Sequence, residues 1–279
     1  MINRDFENYL DSHLFALKIR IKSLQMVHAA KSSHIGGALS VADLLAVLYS
    51  RVLNIDPKNP LWDARDRLIF SKGHACASLY AALSYRGFFP EEELEGFGQD
   101  GSYFLTHSDR KVPGVEFSTG SLGHGLPFAC GMALAAKRKG KNWRVFVILS
   151  DGEMEEGSNW EAFLFAAHHR LDNLIAVIDY NKMQALGQVS DILGLEPLGE
   201  KLKSFRWSVR DIDGHDHDQI YKSLSSAPWH KGSPSCLIAN TVKGKGVDFM
   251  ENKLEWHYRS PNAQQLDLAI AKLKKGSHA

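Results

Sequence analysis

Two buried apolar runs on either side of a helical segment constrain the fold of this chain more than any other feature. Residues 144–149 and 174–179 have the length and apolar composition of buried strands, and residues 158–171 between them have apolar side chains at helical spacing. The apolar positions of the helical segment are Trp160, Phe163, Leu164 and Ala167. A strand, a helix and a strand in this order form a parallel, right-handed crossover. We therefore predict an α/β fold built on a parallel sheet.

An oxygen-bearing side chain follows each of these two strands. Asp151 comes soon after the first strand and Asn181 soon after the second. In a parallel sheet both leave the carboxyl edge, where open α/β sheets bind ligands. A carboxylate and an amide oxygen beside Gly152 suit Mg²⁺ that keeps phosphate oxygens among its ligands, so the unit predicts a site for magnesium and a diphosphate. Taken singly, each motif is also typical of an ordinary turn or strand end.

The composition limits the classes of partner and compartment. With 33 Lys+Arg against 32 Asp+Glu, the formal net charge of +1 favours neither nucleic acid nor a membrane surface as a partner. Three isolated cysteines, Cys76, Cys130 and Cys236, argue against a disulfide framework and for a reducing compartment. The sequence contains no long apolar stretch and no signal-peptide core, so we expect a cytoplasmic protein. Without a repeat or linker, residues 1–279 are expected to form a single domain.

His34 is expected in a tight loop between two helices. Residues 6–31 have the spacing of an amphipathic helix, which the serines and glycines of residues 32–37 interrupt. The next helix is predicted to begin at a capping box made by Ser40 and Asp43. A loop histidine is ordinarily solvated, but one flanked by glycines is free to face a pocket.

His74 is expected at the start of a helix. It follows a short predicted strand at residues 67–71 and precedes an alanine-rich helix that ends at Gly87. The N–H groups and dipole of a helix N-terminus attract anions, so a phosphate near His74 fits this position. A helix-start histidine without a ligand is the alternative interpretation.

Two other stretches attract attention. Residues 118–125 form a glycine-containing loop before a helix rich in small residues, which is typical either of simple flexibility or of backbone that contacts a flat ring. Residues 211–218 hold four acids and two histidines, but their spacing alternates between faces, which does not favour a metal site. We expect Asp216 or Asp218 to cap a helix over residues 219–225.

Together these motifs resemble the diphosphate-binding domain of transketolase, a thiamine-diphosphate enzyme. The stretches that carry the resemblance occur in family order over nearly the whole chain: SSHIGG, DRLIFSKGHA, PGVEFSTGSLGHG, SDGE to NK, DGHD, and VKGKG to WH. The resemblance implies the thiamine-diphosphate-binding fold, a doubly wound, mainly parallel sheet with helices on both faces. It also implies thiamine diphosphate and Mg²⁺ as cofactors, with Ca²⁺ or Mn²⁺ as substitutes for the magnesium.

The resemblance assigns roles to residues that match family motifs. The metal would be held by Asp151, Asn181 and the backbone carbonyl of Met183. The diphosphate would be held by Gly152, His74, Lys243 and His257, and the aminopyrimidine by Gly120, Ser121 and Leu122. The catalytic set would be His34, His74, His107 and His257, because imidazole exchanges protons near neutral pH. The acids Glu156 and Glu161 would link two cofactor sites across a subunit interface.

The same resemblance covers only the first part of a full transketolase, which is more than twice as long and carries a pyrimidine-side glutamate in a later domain. We therefore expect the N-terminal subunit of a split transketolase, active only with a separately encoded C-terminal subunit in an α₂β₂ heterotetramer. It would transfer a two-carbon ketol unit from a ketose phosphate to an aldose phosphate.

Two alternatives and three departures accompany this expectation. The chain could be a subunit of another thiamine-diphosphate enzyme, a 2-oxo acid dehydrogenase or a sugar-phosphate synthase, or a non-catalytic cofactor-binding subunit. Ser150 replaces the first glycine of the family's Gly-Asp-Gly motif. His124 stands where many members have glutamine, and Tyr258 where a glycine commonly follows the histidine. We expect these last two to alter contacts to the ring and to narrow the entrance.

Overall fold

A five-stranded sheet with strand order β1-β2-β3-β5-β4 organises the computed structural model, which describes residues 11–276. The strands are β1 (Arg67–Phe70), β2 (Val145–Ser150), β3 (Leu174–Tyr180), β4 (Ser208–Asp213) and β5 (Ser235–Asn240). All four strand pairings are parallel. The predicted α/β fold on a parallel sheet is confirmed.

Helices connect and flank the strands. The α-helices of the described residues are α1 (Ser12–Ala29), α2 (Ile35–Ser40), α3 (Ala42–Val47), α4 (Cys76–Arg86), α5 (Gly125–Arg138), α6 (Gly157–His168), α7 (Val189–Ile192), α8 (Leu198–Ser204), α9 (His217–Ser225) and α10 (Ala263–Gly276). A π-helical turn, Leu48–Val52, extends α3, and short 3₁₀ turns occur at Gly73–Ala75, Glu91–Gly96, Gly152–Glu155 and Leu254–His257. No helix within residues 11–276 is both long and apolar enough to cross a membrane.

Alternate side chains of the central strands divide between two apolar cores. In β2, Phe146 and Ile148 belong to the core that includes side chains of α1, α3 and α4. Val147 and Leu149 belong to the core on the other face, with side chains of α5 and α6. Successive strand residues point to opposite faces, so a strand covered on both sides is a continuous apolar run. The predicted doubly wound arrangement, with helices on both faces, is confirmed.

The predicted crossover is formed by β2, α6 and β3, but its helix is rotated from the expected orientation. The buried side chains of α6 include Ala162, Phe163 and Ala166, whereas Leu164, which the spacing assigns to the core face, is 59% exposed. The helical spacing therefore misplaces the apolar stripe by about one position. The strands pair in register from Val145 with Leu174, so their carboxyl ends meet at one edge of the sheet.

The predicted capping box is wrong. The helix begins at Ile35, and Ser40 is the last residue of α2. The hydroxyl of Ser40 donates to the Asp179 carboxylate at 2.6 Å, and its oxygen lies 3.0 Å from the Gly37 carbonyl oxygen. Asp43 lies in α3, where it pairs with Arg20 of α1. Both polar side chains thus make buried tertiary contacts. The first residues of the helix predicted at 6–31 lie outside the described residues.

Candidate active site

A cleft with a volume of about 210 Å³, partly open to solvent, lies at the carboxyl edge of the sheet. Most residues predicted for the site line this cleft: His34, His74, His107, Gly120, Leu122, Asp151, Gly152, Asn181, Met183, Lys243 and His257. Most of these residues follow β1, β2, β3 or β5 or precede α2, and the others, His107, Gly120 and Leu122, belong to the long segment between α4 and α5. Ser121, Glu156 and Glu161 are exposed and do not belong to the lining.

The oxygen-rich end of the cleft centres on Asp151. Its carboxylate is 1% exposed and accepts hydrogen bonds from the backbone N–H groups of Gly152, at 2.8 Å, and Lys182. The side-chain oxygen of Asn181 accepts from the Met183 N–H at 3.1 Å. Burial, together with the nearby Asp179, raises the pKa of Asp151 to about 7. A bound cation would relieve this cost.

The donor set fits a hard cation. Carboxylate, amide and carbonyl oxygens from Asp151, Asn181 and Met183 are the ligand types that Mg²⁺ prefers, with phosphate oxygens or water completing its shell. No group of three or more His, Cys, Asp or Glu side chains suited to a metal occurs in the described part of the chain. Any site here therefore depends on amide and carbonyl oxygens and on a ligand's own phosphates.

Lys243 is one of two buried lysines that line the cleft, and the other is Lys72. The ammonium of Lys243 lies 3.2 Å from the Met183 carbonyl and 3.0 Å from Nδ1 of His257. Burial lowers the pKa of Lys243 to about 8, although Asp151 opposes the shift, so the amine is still mainly charged at pH 7. Since the ammonium donates to Nδ1, the proton of the neutral His257 ring is on Nε2.

Four imidazoles form one cluster on the wall of the cleft. The ring centroid of His34 lies 5.2 Å from that of His74, 5.8 Å from that of His107 and 4.9 Å from that of His257. Burial, followed by neighbouring cationic groups, lowers the pKa of His34 to about 4 and of His257 to about 3. Burial also holds the pKa of His74 well below its usual value. These three rings are therefore neutral at pH 7, so each carries one N–H and one acceptor nitrogen.

The backbone before α2 presents His34 to this cluster. His34 adopts a left-handed conformation, with φ of 74°, directly before the first helical residue, and its Nδ1 lies 2.9 Å from the Ser33 hydroxyl. Its N–H donates to the His257 carbonyl at 2.8 Å. The loop predicted for His34 is thus a tight turn, and a backbone hydrogen bond joins it to the segment that carries His257.

A buried ion pair at the wall of the cleft was not predicted from the sequence. Lys72 and Asp179 are 1% and 0% exposed, and their side chains are in direct contact. Asp179 also accepts from the hydroxyls of Ser40 and Thr241, and Lys72 donates to the Gly37 carbonyl at 3.2 Å. The available signals were a carboxylate at the end of a buried apolar run and a lysine just after a strand. The pair fastens α2 and the end of β5 to β3.

Glu153 is a third residue that was not predicted from the sequence. It is fully buried, and Oε1 accepts hydrogen bonds from the Gly123 N–H at 3.0 Å and from the Ser71 hydroxyl. The Glu153 N–H lies 3.3 Å from the hydroxyl of Ser150, the residue that departs from the family's first glycine. Ser150 is the last residue of β2. A strand position needs no glycine, and here the serine adds an acceptor.

The glycine-containing segment of residues 118–125 packs closely against neighbouring side chains. A Cβ added to Gly120 would lie 3.2 Å from the His107 ring, and one added to Gly125 would lie 2.5 Å from the Ser71 Cβ. His124 is exposed, outside the cleft lining, and its Nδ1 is 2.8 Å from the Leu122 carbonyl. Tyr258 is 59% exposed, with its ring centroid 4.8 Å from that of His257.

The side chains of the acidic stretch, residues 211–218, contact other residues of this chain. Asp216 caps α9 by accepting from the N–H groups of Asp218 and Gln219 at 2.9 and 3.0 Å, so the predicted helix cap is confirmed. The histidines of this stretch, His215 and His217, contact Asp43.

Comparison with known proteins identifies the family. Residues 12–277 match the family model described as transketolase, thiamine diphosphate binding domain. This chain belongs to the transketolase family. The predicted family is therefore confirmed, and thiamine diphosphate is the cofactor for which the family's domain is named.

Relatives of similar length carry transketolase names. This transketolase-family chain is 43% identical to the 6-deoxy-6-sulfo-D-fructose transketolase subunit SqwG of Clostridium sp. (strain MSTE9), over 96% of this chain and 98% of that protein. It is also 43% identical to an apulose-4-phosphate transketolase subunit of Actinobacillus succinogenes, over 86% of this chain and 87% of that protein. These names agree with the predicted function and favour it over a 2-oxo acid dehydrogenase or a sugar-phosphate synthase.

Solved transketolases share the fold. The transketolase of Leishmania mexicana matches with a TM-score of 0.90 and 30% sequence identity, over 96% of this chain but only 42% of that one. The chain thus spans less than half of that solved transketolase and nearly the full length of two curated transketolase subunits.

Proposed function

We propose that this chain is the N-terminal subunit of a split transketolase, which transfers a two-carbon ketol unit from a ketose phosphate to an aldose phosphate. The observation that carries the proposal is the cluster of His34, His74, His107 and His257, which lines the same cleft as Asp151, Asn181 and Lys243. A scaffold without catalysis has no need for four clustered imidazoles beside a buried lysine and a buried carboxylate. The two transketolase subunits that this chain matches over 98% and 87% of their lengths support the division into two chains.

The residues present fit thiamine diphosphate with Mg²⁺. Asp151, Asn181 and the Met183 carbonyl would hold the metal, and Ca²⁺ or Mn²⁺ would substitute because both accept oxygen ligands. The diphosphate would be held by Lys243, His74, His257 and the backbone of Gly152. A Cβ added to Gly152 would lie 2.9 Å from the Cβ of Gln184. This close approach favours bare backbone over a side chain at position 152.

The protein's own groups would position the substrate and move protons. Thiamine diphosphate, when bound, supplies the electron sink that allows a carbon–carbon bond of the ketose to break. His34, His107 and His257 would bind hydroxyl groups of the ketose substrate. His257 would do so by donating its Nε2–H, because Lys243 occupies Nδ1. A neutral imidazole accepts one proton and returns it, which suits the removal and return of a hydroxyl proton. Gly120, Ser121 and Leu122 would contact the aminopyrimidine.

The partner would complete the site from the open side of the cleft. A separately encoded C-terminal subunit would supply the glutamate that faces the pyrimidine ring, in a complex that we propose to be α₂β₂. Glu156 and Glu161 are exposed, near the start of α6 and within it, where they are available to such a partner. Their proposed role is to link two cofactor sites across the interface.

Product analysis tests the reaction type. The chain, its partner subunit, thiamine diphosphate and Mg²⁺ would be incubated with a ketose phosphate donor and an aldose phosphate acceptor. We expect a donor product shortened by two carbons and an acceptor lengthened by two. Turnover of 2-oxo acid donors without turnover of ketoses would contradict the proposal.

A further inference from the structure

His215, in the turn between β4 and α9, connects a buried carboxylate to the backbone of the cleft. Its Nδ1 is 2.6 Å from Oδ2 of Asp43, and its Nε2 accepts the N–H of Val242 at 2.9 Å. Because Nε2 must offer a lone pair to this N–H, the ring proton is on Nδ1 and is donated to Asp43. The ring is therefore held at both ends in one orientation.

His215 supplies a hydrogen-bond acceptor to a backbone N–H that lies just beyond the end of the sheet. Strand β5 ends at Asn240, so the N–H of Val242 lies beyond the last strand pairing, and the imidazole supplies its acceptor. One step earlier, the Gly214 N–H donates to the Asn240 carbonyl at 2.8 Å. A Cβ on Gly214 would lie 2.5 Å from Cγ2 of Thr241, so the turn lies directly on this segment.

Asp43 is a fixed anchor for the ring. Burial alone would raise its pKa, but the Arg20 guanidinium and hydrogen bonds from His215 and His217 hold the pKa well below its usual value. Arg20 binds both carboxylate oxygens, with Nη1 at 3.0 Å and Nη2 at 2.5 Å. The Asp43 and Arg20 side chains are 7% and 10% exposed. The carboxylate is thus ionised and tied to both α1 and α3.

The residue after Val242 is Lys243, whose amine enters the cleft. The side chain of Lys243 crosses Gly36, where an added Cβ would lie 3.1 Å from its Cγ. From there the amine reaches the Met183 carbonyl and His257. A shift of the backbone at Val242 would carry the amine away from both partners, and small displacements of a binding group have large effects on a site.

We propose that His215 is a positioning residue for the cofactor site, which fixes the backbone that carries Lys243 by joining it to Asp43. This inference rests on the proposed function, since Lys243 is assigned there to the diphosphate. His217 provides an internal comparison. It contacts the same carboxylate at 3.0 Å, but its other ring nitrogen lies 2.8 Å from the Ser12 hydroxyl, far along the chain from the cleft loops.

Three variants separate the two ends of the His215 contact. His215→Asn retains a donor at the Nδ1 position for Asp43 but is too short to reach Val242. His215→Gln retains an acceptor near the Nε2 position. His217→Asn perturbs the same carboxylate without touching the Val242 contact. A purely structural role for Asp43 and its partners predicts similar effects for His215→Asn and His217→Asn.

Hydrogen exchange and cofactor affinity are the two measurements. In the chain alone, we expect faster amide exchange over residues 241–246 for His215→Asn, with wild-type exchange for His217→Asn and near wild-type exchange for His215→Gln. In the complex with Mg²⁺ and the partner, we expect His215→Asn to weaken thiamine diphosphate affinity by about 10-fold or more, as loss of an outer-shell contact does. His217→Asn should bind as the wild type does.

The outcomes distinguish this inference from the proposed function. Equal exchange and equal affinity for His215→Asn and wild type, or equal losses for His215→Asn and His217→Asn, would overturn the positioning role. If the wild-type complex did not bind thiamine diphosphate, the proposed function would fail. The exchange comparison, which needs no cofactor, would still decide whether His215 fixes the backbone of residues 241–246.

Discussion

The ammonium of Lys243 donates a hydrogen bond to Nδ1 of His257 at 3.0 Å, and this contact joins the proposed diphosphate-binding lysine to one of the histidines proposed to bind substrate hydroxyls. It sets the tautomer of His257, and the charge of Lys243 helps to keep that ring neutral. Two functions of the site therefore depend on a single amine.

Replacing this amine should affect both functions. For Lys243→Met we expect a loss of thiamine diphosphate affinity of about 10- to 100-fold, corresponding to one charge-assisted hydrogen bond. We also expect the pKa of His257 to rise from about 3, because a neighbouring positive charge has been removed. Calorimetric binding in the complex and ring resonances followed against pH give the two values.

Lys245→Met is the matched control, since this lysine lies two residues further on and outside the cleft lining. It should leave both quantities unchanged. An unaltered cofactor affinity in Lys243→Met would remove Lys243 from the diphosphate site.

The cofactor-free chain should lose stability as the pH falls, in part through His34. Its folded-state pKa of about 4 is below the ordinary value of 6.5, so the unfolded chain binds the proton first as the pH drops. Stability therefore falls as the pH decreases from about 6.5 towards 4. Thermal unfolding of wild type and His34→Gln at several pH values measures this. We expect the Tm of wild type to decline more steeply than that of the variant, and parallel curves would refute the burial-driven shift.

Asp151→Asn should separate the effect of the buried carboxylate on stability from its proposed role as a metal ligand. The folded-state pKa of about 7 is above the ordinary value of 3.8, so the stability that this proton contributes is complete below about pH 4 and is lost as the pH rises through 7. In the cofactor-free chain, the Tm of wild type minus that of Asp151→Asn should become more negative between about pH 4 and pH 7 and change little at higher pH. Scanning calorimetry measures this difference.

Addition of Mg²⁺ and thiamine diphosphate to the complex should then raise the Tm of wild type but not that of Asp151→Asn, because the variant lacks the anionic ligand. An equal rise in both proteins would exclude Asp151 as a metal ligand. A Tm difference independent of pH would instead contradict the raised pKa.

The ion pair of Lys72 and Asp179 should be costly to break from one side. Both side chains are almost fully buried, so Lys72→Met leaves an uncompensated carboxylate and should lower the free energy of unfolding by about 3–5 kcal/mol. Adding Asp179→Asn should recover part of the loss, since an amide oxygen can still accept from Ser40. Denaturant titration measures each variant.

An exposed pair supplies the comparison for this experiment. The side chains of Lys203 and Glu200 are 55% and 68% exposed, and Lys203→Met should cost less than about 1 kcal/mol. If Lys72→Met lowered the free energy of unfolding by no more than Lys203→Met, the expected stabilisation by the buried pair would be contradicted.

The sequence was most informative where local patterns determine the structure. The crossover of β2, α6 and β3 was predictable because apolar run length and helical spacing are local, and because the handedness rule fixes how the strands are joined. Asp151 and Asn181 followed from that unit, since parallel strands end at a common edge. The rotation of α6 was not predictable, because Leu164 and Phe163 are both apolar and only tertiary contacts, such as that of the Phe163 ring with Trp207, distinguish them.

The buried polar contacts could not be derived from sequence. Asp43 fits a capping box as well as it fits an ion pair with Arg20, and the choice depends on the distant helix that brings Arg20 to it. Lys72 and Asp179 are 107 residues apart, and no periodicity relates them. Such pairs are formed by the tertiary fold, which brings together groups whose local sequence matches no pattern.

The central claim is that this chain supplies one half of a transketolase site, and an activity titration tests it most directly. Ketol transfer would be measured at saturating thiamine diphosphate and Mg²⁺ while the chain is added to a fixed amount of the C-terminal partner subunit. We predict no transfer by either chain alone and a rate that rises to a plateau at one chain per partner. Full transfer by this chain without the partner, or none by the cofactor-loaded complex, would contradict the account.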